Sequence, residues 1–372
     1  MVRVGQYLSV FGGSAIISLT LTPLALRLAR RHGILDHPGD HKSHEEAIPY
    51  LGGAAILVAF LVTAGVGGLL LPVTSGRREL VIVLGAAAVL AGVGLLDDLR
   101  GLGLRIRLLV EMAAASAILL AGAGVEVTGE PWLDALLTIL WVVGITNAFN
   151  LLDNMDGLSA GVAAIAASWF FVLAASNGQF LVATLAAGIA GVSMGFLRHN
   201  LHPARIYMGD AGALFLGFLL AYLGIKLEFE GSPRVIFLAP ILVLGVAIFD
   251  TSLVIITRLL HRRHPLRGGR DHVSHRLVFI GLPVRAAVAL IYAAAVGCGW
   301  LALVMSRVDR STSLILMGLV LSVAAFAGVL LGAVPVYETS RRRHLMLVEA
   351  RRHEHEPQAG SETSSDTEAE QA

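Results

Sequence analysis

Three stretches of this sequence combine acids and amides at spacings that chemistry could use. The densest is Asn147-Ala148-Phe149-Asn150-Leu151-Leu152-Asp153-Asn154-Met155-Asp156-Gly157-Leu158. Asn147 and Asn150 stand three apart, as do Asp153 and Asp156, so on a helix each pair occupies neighbouring positions. These side chains bring oxygen acceptors and amide donors, which suit a hydrated hard cation or the polar edge of a nucleotide. Asp97-Asp98 close an apolar stretch, where adjacent carboxylates repel each other unless a cation or proton intervenes. Tyr207-Met208-Gly209-Asp210-Ala211-Gly212 opens another apolar stretch. Asp210 suits a helix N-terminus, a position that capping alone would also explain. Gly209 permits close backbone approach, and Tyr207 offers a flat ring.

Two further stretches are rich in cations. Asp36-His37-Pro38-Gly39-Asp40-His41-Lys42-Ser43-His44 could contact phosphates through Lys42 and its histidines. Arg270-Asp271-His272-Val273-Ser274-His275-Arg276 has the same character. Taken singly, the first reads equally well as a solvated connector and the second as membrane topology. Acids beside Arg and His are contradictory as lone sites, but they agree if the ligand is a metal-bound diphosphate. Mg²⁺ takes a few carboxylates together with phosphate oxygens, and basic residues neutralise the remaining charge. Mn²⁺ could substitute for it. The single cysteine, Cys298, lies in an apolar run, and no compact histidine pattern calls for zinc.

The elements that must position these residues are membrane spans. Of 372 residues, 56% are hydrophobic and 15% charged, with a mean hydropathy of +0.75. The shortage of charge relative to a soluble domain points to lipid. A net charge of +1 gives no field for nucleic acid. Apolar windows predict an all-α, polytopic helix bundle of about eleven spans, near 7–28, 48–71, 79–96, 104–124, 132–148, 157–175, 179–197, 211–227, 235–257, 285–305 and 313–334. Of the 28 Lys and Arg, 21 fall on one side of this arrangement and seven on the other. The positive-inside rule then sets the N-terminus outside and the C-terminus in the cytoplasm. All five polar stretches fall on the cytoplasmic side. Residues 1–340 read as one transmembrane domain, and 341–372 as a basic, then acidic, disordered tail with no apolar content to bury.

Together these five stretches resemble the polyprenyl-phosphate N-acetylhexosamine-1-phosphate transferases of glycosyltransferase family 4, over about residues 5–335. The paired aspartates, the Asn-Ala-Phe-Asn-Leu-Leu-Asp-Asn-Met-Asp-Gly-Leu run and Tyr-Met-Gly-Asp-Ala-Gly are specific in combination and occur in the family's order. The resemblance implies transfer of a sugar 1-phosphate from a UDP-N-acetylhexosamine to undecaprenyl or decaprenyl phosphate, with release of UMP. It implies a bacterial plasma (inner) membrane enzyme, surrounded by membrane lipid, with its site on the cytoplasmic face. A homodimer is compatible with it. Asp210 matches the Mg²⁺ ligand, with Asn150 as a second candidate ligand. Tyr207 matches the ring that stacks on uracil, and Asp153 and Asp156 the acids on the nucleotide side. Asp97, beside Asp98, matches the residue that deprotonates the lipid phosphate. His272 and His275 match the histidines facing the diphosphate. Lys42 matches the loop lysine near the nucleotide, and Asn147, Asn150, Arg205 and Arg270 complete the expected substrate-binding set.

The histidine stretch is closer to the His-x-His-His-Arg-Leu form of the N-acetylglucosamine branch than to the consecutive histidines of the muramoyl-pentapeptide branch. GlcNAc is therefore the expected sugar and the muramoyl-pentapeptide reaction the alternative. Two positions depart from the family pattern: Ser274 stands where a His is usual, and Asn154 where Gly is common. A cation-coupled secondary transporter is the rival of another class. Such sites lie near the bilayer midplane, commonly between inverted repeats. Here the acids sit at span ends on one side.

Overall fold

The computed structural model describes residues 2–36, 47–70, 76–229, 237–265 and 269–337. Thirteen helices account for almost all of it: α1 (Val2–His32), α2 (Gly52–Leu70), α3 (Arg77–Arg100), α4 (Leu104–Leu120), α5 (Pro131–Leu152), α6 (Leu158–Ser176), α7 (Phe180–Asn200), α8 (Gly209–Lys226), α9 (Leu238–Val243), α10 (Gly245–Leu260), α11 (Val273–Phe279), α12 (Val284–Met305) and α13 (Arg310–Gly332). Two short strands, β1 (Leu35–Asp36) and β2 (Ile48–Pro49), pair antiparallel. The protein is an all-α polytopic membrane bundle. The tail expected to be disordered, and Lys42, lie outside the described residues.

Eight helices, α1, α3, α5, α6, α7, α8, α12 and α13, are long and apolar enough to cross a membrane. Apolar helices also occupy the three other expected spans, with differences. The second begins at Gly52 because Ile48 and Pro49 are taken up in the strand pair. The fourth, α4, has 17 residues. The ninth is not continuous: it breaks into α9 and α10 at Leu244, whose φ of −94° and ψ of 8° leave the helical region just before Gly245. Gly is a poor helix former, so the sequence does little to carry a helix across that point.

Helix α8 is the axis of the bundle. It is apolar on every face and buried from Ala211 to Gly224, as a helix surrounded by other helices must be. It packs on α3 and is fixed to it at both ends. At one end a Cβ at Gly94 of α3 would lie 2.6 Å from Ala211 N. At the other, Tyr222 Oη donates to Glu79 Oε1 at 2.8 Å and Lys226 Nζ lies 3.3 Å from the same oxygen. Helix α7 packs on α1 through the same small-residue device. A Cβ at Gly191 or Gly195 would run into the carbonyls of Phe11 and Ala15. Close backbone approach of this kind drives helix association in lipid, where no hydrophobic force separates helix from solvent. Helix α13 is the opposite of α8. Leu314, Ile315, Leu319, Phe326 and Val329 are all exposed, an apolar surface that a bilayer covers.

Replacing Gly195 with Val should separate α1 from α7 and cost about 1–3 kcal/mol by overpacking. Gly85→Val, in open space on α3, serves as the control. Thermal unfolding in detergent should show a lowered midpoint for the first variant and an unchanged one for the second. Equal midpoints would remove the packing argument.

Candidate active site

One end of the bundle gathers the ends of α3, α5 and α7 with the starts of α4, α6 and α8. Asp97 and Asp98 lie in the last turn of α3, which stops where Gly101 adopts a left-handed conformation (φ 64°) and its N–H bonds Asp97 O. Asp98 reaches the start of α8, accepting from the N–H groups of Asp210 (3.1 Å) and Ala211 (3.4 Å). A carboxylate at a helix N-terminus satisfies donors that have no partner inside the helix. Gly209 is required there: its φ is +65°, and a Cβ would collide with the Asp98 carboxylate. The loop before α8 is held by backbone pairing. Tyr207 N donates to Pro49 O (2.8 Å), Gly52 N to Tyr207 O (3.0 Å) and Gly53 N to Met208 O (2.9 Å).

Asp210 is met from two directions. Asn150 Nδ2 donates to Oδ1 at 2.7 Å, and a guanidinium nitrogen of Arg107 to Oδ2 at 2.9 Å. That same Arg107 nitrogen lies 3.6 Å from Asp97, and Arg107 Nε lies 3.8 Å from Glu111 one turn further along α4. Glu111 in turn accepts from Asn147 Nδ2. Asn147 and Asn150 do share a helix face, but only Asn150 faces the aspartates. Asn147 anchors α5 to Glu111.

A cleft of ≈ 600 Å³ opens over this end. Asp98, Asn150, Asp153, Asp156, Tyr207, Asp210, Arg270 and His275 line it, so eight of the expected site residues meet in one place. Asp97, Asn147, Arg205 and His272 are not among its lining residues. Arg205 is exposed, while His272 is buried with Nδ1 2.7 Å from Asp250 Oδ2. An imidazole nitrogen facing a carboxylate carries the proton, so His272 is oriented by α10. Asp156 has its own structural duty: it accepts from Ala204 N at 3.0 Å and faces His202 Nδ1 at 2.8 Å, which holds the loop that leads to Tyr207.

Asp153 differs from its neighbours. It follows the last residue of α5, and no donor among the described residues meets its carboxylate. Enclosure first, then the charges of Asp210, Asp98 and Asp156, hold its pKa well above the usual range. Enclosure also pushes the Tyr207 hydroxyl up, with Asp156, Asp36 and Asp153 adding to the shift, so the ring stays neutral. Across the cleft, burial and then the charges of His272 and Arg270 push His275 down to about 4. It is therefore neutral near pH 7, and its buried Nδ1 has no hydrogen-bond partner among the described residues.

The wall carrying Arg270 and His275 is fixed by a buried network. Arg258 of α10 grips Asp271 through two bonds of 2.7 Å each, and Tyr337 Oη donates to Asp271 at 2.6 Å. Arg276, with no exposed surface, donates to Asp271 O and to Leu331 O at the end of α13. Asp250 accepts from Val273 N at 2.7 Å and caps α11. Sequence reading missed Glu111 and Asp250 and took Arg107 and Arg258 only as topology charges. Lone acids inside expected spans were the available signal, since ionisable groups at membrane depth need partners.

The donor set fits a hard cation in kind. Asp98, Asp153 and Asp210 present oxygens to one cleft, and their mutual repulsion is only partly offset by Arg107. No three acidic, His or Cys side chains among the described residues form a ready-made metal cage. Mg²⁺ does not need one, because phosphate oxygens and waters complete its shell.

Comparison with known proteins agrees with this architecture. Residues 80–228 match Glycosyl transferase family 4. The chain is 35% identical to a probable undecaprenyl-phosphate N-acetylglucosaminyl 1-phosphate transferase of Bacillus subtilis, over 75% of this chain and 79% of that protein. It is 31% identical to the decaprenyl-phosphate N-acetylglucosaminephosphotransferase of Mycobacterium leprae, over 75% and 78% of the two chains. It is 33% identical to the phospho-N-acetylmuramoyl-pentapeptide-transferase of Moorella thermoacetica, over 75% and 96%. Bundle, cleft and likeness define an enzyme, a multi-pass membrane phosphoglycosyl transferase. The chain belongs to the polyprenyl-phosphate N-acetylhexosamine-1-phosphate transferases of glycosyl transferase family 4.

Asp271→Ala would leave Arg258 buried without its partner, both side chains being only 3% exposed. Breaking such a pair costs on the order of 3–5 kcal/mol, so the unfolding midpoint should fall sharply; an unchanged midpoint would show that the bridge contributes nothing. Burial alone would raise the Asp271 pKa, but the bonds from Arg258 and Tyr337 outweigh it and hold the pKa below the ordinary value. The bridge's contribution is therefore complete above the unfolded value of about 3.9 and lost as pH falls through the folded one.

Proposed function

We propose that the protein transfers N-acetylhexosamine 1-phosphate, by default GlcNAc 1-phosphate, from a UDP-sugar to polyprenyl phosphate at the cytoplasmic face of a bacterial inner membrane. The observation that carries this reading is the meeting of acids, amide, aromatic ring, Arg270 and His275 in a single cleft. A phosphate oxygen of the lipid attacks the β-phosphorus of the UDP-sugar. The bond from that phosphorus to the bridging oxygen breaks, UMP leaves with the electron pair, and polyprenyl diphosphate sugar forms.

The residues divide the work. Tyr207, neutral and in the cleft wall, stacks on the uracil. Arg270 and the uncharged His275 receive diphosphate oxygens. Asp97 is the expected base for the lipid phosphate, but Asp98 and Asp153 line the cleft and Asp97 does not, so they take that role here; Asp98 also fixes the start of α8. Asp210, with Asn150, would hold Mg²⁺, with Mn²⁺ as a substitute. When bound, the ion supplies neutralisation of the crowded phosphates and of the departing UMP. The 21-to-7 distribution of basic residues supports the cytoplasmic side. The two relatives named for N-acetylglucosamine support the sugar, and the muramoyl-pentapeptide relative keeps that donor as the second reading.

The experiment is UMP release by purified protein in detergent, with Mg²⁺, polyprenyl phosphate and a panel of UDP-N-acetylhexosamines that includes the muramoyl-pentapeptide donor. Release is expected to require both lipid and Mg²⁺ and to be fastest with UDP-GlcNAc. Folded protein that releases UMP from no donor would overturn the reading.

Asp210→Asn should lower kcat by at least about a hundredfold, in line with the loss of a group stabilising transition-state charge, while the protein remains in the membrane. Near-normal UMP release would remove Asp210 from the metal role. Tyr207→Ala should mainly raise KM for the UDP-sugar, by roughly five- to a hundredfold if base stacking contributes as it does elsewhere. An unchanged KM would remove the stacking contact.

A further inference from the structure

The two walls of the cleft are carried by different parts of the bundle. Asp153, Asn154 and Asp156 ride on the turn between α5 and α6, whereas Arg270 and His275 ride on the segment between α10 and α12. The anchors of that second segment run away from the acids. Asp271 is held by Arg258 and Tyr337, His272 and Val273 by Asp250, and Arg276 by Thr257 and the end of α13. Among the side-chain hydrogen bonds described for Asp271 to Arg276, a single one crosses to the acidic turn. Ser274 Oγ donates to Asn154 Oδ1 at 2.6 Å.

Both ends of this bond are constrained. Ser274 is 1% exposed and precedes His275 on α11. Asn154 follows Asp153, and its Nδ2 donates to Leu151 O at 2.8 Å, so its oxygen is the atom turned to Ser274. A one-residue step therefore connects each partner to a group facing the ligand space.

We propose that Ser274 and Asn154 form a positioning pair that sets the separation of Arg270 and His275 from Asp153 and Asp156, and through it the affinity for the diphosphate of the nucleotide sugar. This rests on the function proposed above. The pair holds the basic wall at ligand width before the diphosphate arrives. Once bound, the diphosphate itself bridges the two walls, and the hydrogen bond becomes dispensable. Loss of the pair is therefore a loss of preorganisation, which falls on binding.

The test is a double-mutant cycle in the UMP-release assay with saturating lipid and the preferred donor. Ser274→Ala and Asn154→Ala should each raise KM for the nucleotide sugar by roughly two- to tenfold, the size of one net hydrogen bond. Turnover at saturation should stay within about twofold, and the double variant should be no worse than either single one. Ser274→Thr, which keeps the hydroxyl, should retain the wild-type KM. A purely structural role would lower the yield of folded enzyme without moving KM. Should Ser274→Ala aggregate on size exclusion, Ser274→Cys replaces the hydroxyl with a weak donor and carries the alanine expectation of a raised KM. Unchanged KM in Ser274→Ala, or additive losses in the double variant, overturns the pair. A wild-type enzyme silent with every donor overturns the function on which it rests.

Discussion

Repulsion among carboxylates at one end of the bundle is the constraint around which the rest is arranged. Asp98, Asp153, Asp156 and Asp210 share a single cleft, and among the described residues each except Asp153 is tied down by donors from another element. Two of those ties are backbone amides at the start of α8, which reach Asp98 only because Gly209 and Gly94 let α3 approach. A third is Arg107, the cation among Asp97, Glu111 and Asp210. The fold thus holds like charges together by close helix packing, with few counter-charges among them.

The opposite wall solves a different problem. Arg270 and His275 must face the acids without collapsing onto them, so their segment is tethered from behind. Arg258, Asp271, Arg276, Asp250 and Tyr337 join α10, α11 and the end of α13 in a network that has little contact with solvent. Buried ion pairs are weak sources of stability but specify one arrangement when every member is satisfied. The break between α9 and α10 lies in the stretch of chain that leads to this wall, whereas α3 and α8 run uninterrupted.

Much of the bundle was legible because lipid leaves few alternatives: apolar windows located every long helix, and five polar stretches stood out against them. Asp98, Asn150, Asp153, Asp156, Tyr207 and Asp210 could be picked out for the same reason. What the sequence concealed was pairing. Asn147 and Asn150 have the same spacing logic as Asp153 and Asp156, yet one amide turns to Glu111 and the other to Asp210. His272, just before α11, and His275, on it, are three apart, yet Asp250 claims the first and leaves the second to the cleft. Periodicity gives the face of an element; which neighbour stands opposite is a tertiary fact. The two departures from the family pattern, Ser274 and Asn154, illustrate this best, since 120 residues separate them and they meet in one hydrogen bond.

Asp98 and Asp156 line the cleft and also hold structure, so replacing either disturbs the loop or helix start that it holds. Asp153 has no such duty among the described residues. Its pKa is raised because enclosure, and then the charges of Asp210, Asp98 and Asp156, disfavour the ionised form. A group kept in that condition by enclosure and like charge contributes nothing to folding that a neutral residue would not improve. Under the function proposed above, a bound state that compensates the charge accounts for its presence. By that reasoning Asp153 is the acid that the proposed ligand, and not the fold, accounts for most directly.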